Sequence, residues 1–198
     1  MAKLYFRYGT MGSAKTLNLL AVAHSYQVQN KEVLILKPKL DDRYGQQRVR
    51  SRSGLEKPAD ILVEEGTTLK ADELIGIDCI LVDEAQFLPV SFIDHLRAVS
   101  RDRDIPVICY GLRTDFKTEL FEGSKRLLEL SDAIEEVKNT CHFCNRKAIF
   151  NQRFVNGKAT TEGPRVLLGA EESYLPVCPH CYEDQLRKSD GLSQNQEL

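Results

Sequence analysis

The sequence predicts an α/β fold: a mostly parallel sheet with helices on both faces, joined to a small cysteine-pinned unit. Three observations predict it. Short apolar runs alternate with helical patterns from Lys3 to about Lys138, a glycine-containing turn joins the first run to the first helix, and two C-x-x-C pairs follow Thr140.

Taken in order, "KLYFRYG" reads as a strand, and "KTLNLLAVAHSYQVQ" as a helix with apolar residues at three-to-four spacing. "KEVLILKP" is a second strand, ended by Pro38, and "IDCILVDEAQ" a third, apolar almost throughout as far as Val82, as a strand covered on both faces should be. "PVSFIDHLRAVSRD" opens with Pro89 in a first helical turn. "IPVICYGL" is a fourth strand, "FEGSKRLLELSD" a helix and "AIEEVKNT" a fifth strand. The polar stretch 41–57, with Arg43, Arg48, Arg50 and Arg52, reads as a solvated loop. Asn156-Gly157 signals a type I′ turn. After Tyr182 the chain is polar, lacks a core face and is expected to fray. The division is therefore 1–138 for the α/β domain, 139–185 for the cysteine unit and 186–198 for a flexible tail.

Bulk composition narrows the chemistry. The chain has 198 residues, a net charge of −2 and a sequence pI near 6.1, so no basic field draws it to nucleic acid. No apolar run approaches the roughly 18–20 residues that cross a bilayer, and "MAKLYFRYG" is too short and charged for a signal peptide. The expectation is a cytoplasmic protein whose six cysteines are metal ligands or buried thiols.

"YGTMGSAKT" comes close to G-x-x-x-x-G-K-[ST], the loop whose backbone N–H groups and following helix N-terminus hold a nucleoside triphosphate. Gly9, Thr10, Met11, Gly12, Ser13 and Ala14 form the loop, with Gly9 and Gly12 taking its tight turns. Lys15 faces the β- and γ-phosphates and Thr16 a Mg²⁺ ion. Ala14 replaces the second glycine. It keeps the N–H, and should the site demand left-handed backbone the substitution costs about 1–2 kcal/mol.

"CILVDEAQF" puts Asp83 and Glu84 where an apolar strand gives out, beside that loop. One carboxylate suits Mg²⁺; the next, diverging by strand alternation, suits a base or the orientation of a water. Cys141-x-x-Cys144 and Cys178-x-x-Cys181 suit tetrahedral Zn²⁺, closed and hence structural, pinning both ends of the segment 145–177. His142 and His180 read as spectators, and Cys79 and Cys109 as small core residues.

With "GTMGSAKT", "KPKLDDRY", "VDEAQF", "YGLRTDF" and the paired knuckles enclosing "VLLGAEESY" in this order, the chain resembles the type II thymidine kinases over roughly residues 2–182. The resemblance implies a RecA-like ATP-binding domain, a zinc unit carrying a lasso loop, and transfer of the γ-phosphoryl of ATP to the 5′-hydroxyl of thymidine. It implies Glu84 as catalytic base, Asp83 as the Mg²⁺ acid, and Asp41 and Arg43 as a pair near the phosphates, Arg43 offsetting developing charge. Phe116 would stack on the thymine and Leu112 wall it. Val166, Leu167, Leu168, Gly169 and Ala170 would read the base through backbone groups, and Tyr174 would contact the deoxyribose. A homotetramer with feedback by dTTP is likewise implied. The lasso has one glycine where some members have two adjacent ones. The alternatives are a RecA-like ATPase acting on nucleic acid, a zinc-stapled ATP-binding interaction module, and a kinase of another pyrimidine deoxynucleoside.

Overall fold

The computed structural model describes residues 1–41, 45, 47–165, 173–189 and 191. Its centre is a six-stranded sheet in the order β5-β2-β6-β7-β1-β8. The strands are β1 (Leu4–Tyr8), β2 (Glu32–Pro38), β5 (Ile61–Val63), β6 (Ile77–Val82), β7 (Val107–Gly111) and β8 (Ala133–Glu136). Every pairing in this sheet is parallel. All carboxyl ends therefore lie along one edge, which gathers the segments after β1, β2, β6 and β7.

Strand alternation sorts the apolar residues onto two faces. Leu4, Phe6, Leu34, Leu36, Ile80, Val82, Val107 and Cys109 pack on one side, under α2 (Val90–Arg103) and α3 (Glu122–Leu130). Ile35, Cys79, Leu81, Ile108 and Tyr110 pack on the other, under Leu19, Leu20 and Ala23 of α1 (Lys15–Val28). Helices on both faces match the sequence expectation. Pro89 stands just ahead of α2 rather than in its first turn, its fixed φ of −58° serving the N-cap.

Two features escaped the sequence pattern. β5 has three residues, too few to show a period, and joins the sheet through Leu36–Ile61 pairing. Within the polar stretch, β3 (Arg48–Arg50) and β4 (Glu56–Pro58) form an antiparallel hairpin. Its Val49 is buried against the α1 side of the core, and Lys37, only 1% exposed, donates to the Arg48 carbonyl at 3.0 Å. One apolar anchor and one buried ammonium hold a segment whose composition reads as loop.

The second sheet, antiparallel, has the order β10-β9-β11, with β9 (Phe150–Val155), β10 (Lys158–Thr160) and β11 (Tyr174–Val177). Asn156 and Gly157 join β9 to β10 with φ of 50° and 76°, as a type I′ turn requires. α4 (Pro179–Ser189) then runs across it. This corrects the expected frayed tail as far as Ser189; Asp190 and residues 192–198 lie outside the described residues. Helix α4 persists because Leu186 packs on the cysteine cluster and Glu183–Arg187 and Asp184–Lys188 pair at i,i+4. The Ser189 hydroxyl also accepts a hydrogen bond from the Ala159 amide. Among the described residues no helix is long and apolar enough to cross a membrane.

Gly123 is where α3 meets the turn after β6: a Cβ there would stand 2.8 Å from the carbonyl oxygens of both Ala85 and Gln86. Since neither backbone oxygen can swing away, Gly123→Ala is expected to destabilise the protein by about 1–3 kcal/mol. Urea unfolding midpoints test this; an unchanged midpoint would mean the turn is free to yield.

Candidate active site

The phosphate loop leaves β1 and turns into α1. Ala14 caps the helix in left-handed geometry (φ 64°, ψ 26°), and Gly12 is also left-handed, at φ 73°. Ala14 therefore adopts the conformation a glycine would, at a strain of about 1–2 kcal/mol. Gly9 differs from expectation. Its need is close approach rather than positive φ, since a Cβ would lie 2.4 Å from the Val137 carbonyl oxygen and 2.5 Å from Ser13 Oγ.

Lys15 is buried, its ammonium donating to the carbonyls of Thr10 (2.7 Å) and Gly9 (3.2 Å) and to Ser13 Oγ (3.4 Å). Thr16 Oγ1 donates to both oxygens of Asp83, at 3.2 and 3.1 Å. A hydroxyl and a buried carboxylate touching beside a phosphate loop are the hard oxygen donors that Mg²⁺ takes from protein, its other positions falling to phosphate and water. The donor set fits the ion.

At the end of β6 the chain breaks sharply. Asp83 remains tied to the sheet through its N–H to the Leu36 carbonyl, whereas Glu84 is left-handed (φ 49°, ψ 38°). The two acids take different partners on either side of this turn, Asp83 the Thr16 hydroxyl and Glu84 the Gln86 amide. Gln86, 3% exposed, donates through Nε2 to Glu84 Oε2 at 2.6 Å and accepts the Leu112 N–H on Oε1 at 3.0 Å. Sequence reading passed over Gln86. Its only signal was a polar residue two places past the acids.

A single cavity of about 320 Å³ joins these groups. Its walls include Met11 to Thr16, Asp41, Asp83, Glu84, Leu112, Phe116 and Tyr174. Gly9 and Thr10 stand outside it, on the far side of the loop, beside Asn151. Asp41 is buried and paired with Lys37 at 3.1 Å. Phe116, 1% exposed, meets Tyr174 edge to face at 6.1 Å, and the guanidinium of Arg153 lies 5.3 Å from its ring centroid. Its carbonyl accepts the Tyr182 hydroxyl at 2.6 Å. Asp115 stiffens the same loop, accepting the Lys117 and Glu119 amides on Oδ1 and Arg165 Nε on Oδ2 at 2.6 Å. Arg153 and Arg165 carried no sequence signal, since Phe116 and Asp115 are distant in the chain. Lys37 and Asp115 lie within the motifs "KPKLDDRY" and "YGLRTDF", with no role assigned to them there. Of the predicted residues, Arg43, Val166, Leu167, Leu168, Gly169 and Ala170 lie outside the described ones.

The sulfurs of Cys141, Cys144, Cys178 and Cys181 all lie within 4.8 Å of one another. Cys144–Cys178 and Cys144–Cys181 are both 3.7 Å, while thiolates at about 2.3 Å around tetrahedral zinc stand about 3.8 Å apart. The cluster fits structural zinc, with four sulfurs closing the shell. Burial pushes the Cys141 thiol up, but backbone N–H groups of Cys178, Phe143 and Cys144 outweigh it and bring it down to about 7. Burial among its sulfur neighbours pushes Cys181 up to about 12. His142 and His180 are exposed and outside the cluster.

A parallel sheet whose carboxyl edge carries a phosphate loop, a Thr–Asp oxygen pair and a second acid defines an α/β protein of the P-loop nucleotide-binding class. Residues 2–182 match the thymidine kinase family, and the chain belongs to it. It is 45% identical over 184 residues to the thymidine kinase of Lactiplantibacillus plantarum, covering 92% of this chain and 96% of that one. The thymidine kinase of Streptococcus gordonii is 42% identical over 190 residues, with 92% and 96% covered. That of Streptococcus thermophilus LMG 18311 is 41% identical over 198, with 98% and 100% covered. The Pif1 helicase structure from Candida albicans overlaps 70% of this chain and 36% of that one, at a TM-score of 0.44 and 12% identity, too low to bear on fold or activity.

Replacing Ala14 by glycine relieves the left-handed strain and loosens the unfolded chain. The balance is expected to raise Tm by up to about 2–4 °C; a lower Tm would contradict the strain. For the cysteines, purified protein is expected to release a single zinc equivalent to a chelator, after which a thiol reagent labels Cys141, Cys144, Cys178 and Cys181. Cys79, pushed by burial to about 11, and Cys109, pushed up further, stay unlabelled until the chain unfolds. Immediate labelling of the four with no zinc released would refute a metal-closed cluster.

Proposed function

We propose that this chain is a thymidine kinase, moving the γ-phosphoryl of ATP to the 5′-hydroxyl of thymidine to give dTMP and ADP. The observation that carries the reading is the shared cavity: the phosphate loop, Asp83, Glu84, Phe116 and Tyr174 all open onto it, so a triphosphate and a flat base can meet at one acid. Family membership supports the same substrates.

In this reading Lys15 exchanges its loop carbonyls for the β- and γ-phosphates, and loop N–H groups hold their oxygens. Thr16 and Asp83 hold Mg²⁺, which neutralises phosphate charge. Glu84 accepts the proton of the attacking hydroxyl. Gln86 fixes the carboxylate, using the Leu112 amide as its anchor. Phe116 stacks on the thymine, held from behind by the Tyr182 hydroxyl and the Arg153 guanidinium. Leu112 walls the base and Tyr174 meets the deoxyribose. On the resemblance, Asp41 and Arg43 serve the phosphates, and the backbone of Val166, Leu167, Leu168, Gly169 and Ala170 reads the base. The same resemblance supports a cytoplasmic homotetramer inhibited by dTTP, with the cysteine unit as a separate zinc domain.

ADP release with Mg-ATP against thymidine, deoxyuridine, deoxycytidine, uridine and single-stranded DNA tests the assignment. Thymidine and, lacking only a methyl, deoxyuridine are expected to be phosphorylated. Glu84→Gln is expected to lower kcat by about 10²–10⁴ while retaining ATP binding. Hydrolysis stimulated only by DNA, or a fully active Glu84→Gln, would overturn the reading.

A further inference from the structure

The phosphate loop is held by two asparagines from the far side of the chain. Asn151, on β9 and 4% exposed, accepts the Met11 N–H on Oδ1 at 2.7 Å. Asn139 donates through Nδ2 to the Met11 carbonyl at 3.1 Å and to Thr10 Oγ1 at 3.2 Å. Both polar groups of Met11 are thus taken by amides more than a hundred residues away. The next residue, Gly12, is left-handed, and so is Ala14.

A loop with two left-handed positions and no regular ladder of its own keeps one conformation only if its surroundings over-determine it. The asparagines are themselves fixed. Asn139 accepts the Thr140 amide on Oδ1 at 2.9 Å, and its carbonyl accepts the Ala148 amide at 2.9 Å. Asn151 sits opposite Pro176 in the β9–β11 ladder. Asn139 lies two residues before Cys141, and Pro176 two before Cys178. The backbone that carries the cysteines therefore also carries the grip on Met11.

We propose that Asn139 and Asn151 are positioning residues that set the conformation of the phosphate loop from the cysteine-bearing unit. Neither needs to touch the transferred phosphoryl group. Asn151 acts on the Thr10–Met11 peptide through its N–H, and Asn139 on the Met11–Gly12 peptide through its carbonyl, so the two bracket one residue between Gly9 and the helix-side N–H groups of the loop. The inference rests on the reading of that loop as the ATP site.

The test is direct binding of Mg-ATP and of thymidine to the full chain by calorimetry, comparing wild type with Asn139→Ala and Asn139→Asp. Asn139 is the better probe because it lies off the cavity wall, unlike Asn151. Asn139→Asp keeps the volume and the Thr140 bond, which guards against a variant that merely fails to fold, but sets a carboxylate oxygen against the Met11 carbonyl. Asn139→Ala removes the donation without adding charge, and the proposal requires the loss in both. Both variants are expected to weaken ATP binding about tenfold, as the phosphate-competent loop falls to about a tenth of the population, with thymidine affinity within about twofold and Tm lowered by no more than about 2–4 °C. Asn151→Ala added to Asn139→Ala should cost less than the sum of the two, since both grip one residue, Met11, from its two sides. Unchanged ATP affinity in either Asn139 variant, or equal loss for ATP and thymidine, would overturn the inference alone. A wild type that binds no ATP would instead overturn the functional reading, and this inference with it.

Discussion

All six strands of the central sheet run the same way, and the rest of the molecule depends on that constraint. A parallel sheet delivers every carboxyl end to one edge, so the phosphate loop after β1, Asp41 after β2, Asp83 and Glu84 after β6, and Leu112 after β7 meet without long excursions. Parallel strands also demand cover on both faces, which α1 supplies on one side and α2 and α3 on the other. Core and site are thus two consequences of one hydrogen-bonding register.

The edge is also where the backbone is strained. Ala14 and Glu84 are both left-handed without being glycine, and each such residue costs about 1–2 kcal/mol. Each has its own buttress. Around Glu84 it is the Gln86 side chain and the contact of Gly123 with the turn; around the loop it is Asn139, Asn151 and the close approach of Val137 to Gly9. Held this way, each strained turn keeps a single backbone conformation.

The antiparallel sheet and the cysteine cluster contribute by reach. Through Tyr182 this part of the chain holds the Phe116 carbonyl, through Arg153 it backs the Phe116 ring, and through Asn151 it touches the phosphate loop. Its own apolar core is small: Val177, Tyr182 and the cysteines, with Phe150 and Leu186 partly buried. So little apolar surface gives weak stabilisation alone, which is where four sulfurs at zinc-binding distances matter.

Local pattern alone determined the strands of the sheet except β5, the three large helices of the α/β part, the phosphate loop, the paired acids and the cysteine quartet. Each of these is written in periodicity or spacing over a few neighbouring residues. The left-handed state of Ala14 was posed by the sequence as a condition and met by the structure. Tertiary structure decided the strand order, the hairpin hidden in the polar stretch, the persistence of α4 to Ser189, and the supporting contacts of Gln86, Asn139, Asn151, Asp115 and Arg153. The physical reason is the same throughout. A polar side chain looks alike in sequence whether it faces water or a buried amide, and only the folded chain brings up the partner that makes it a support.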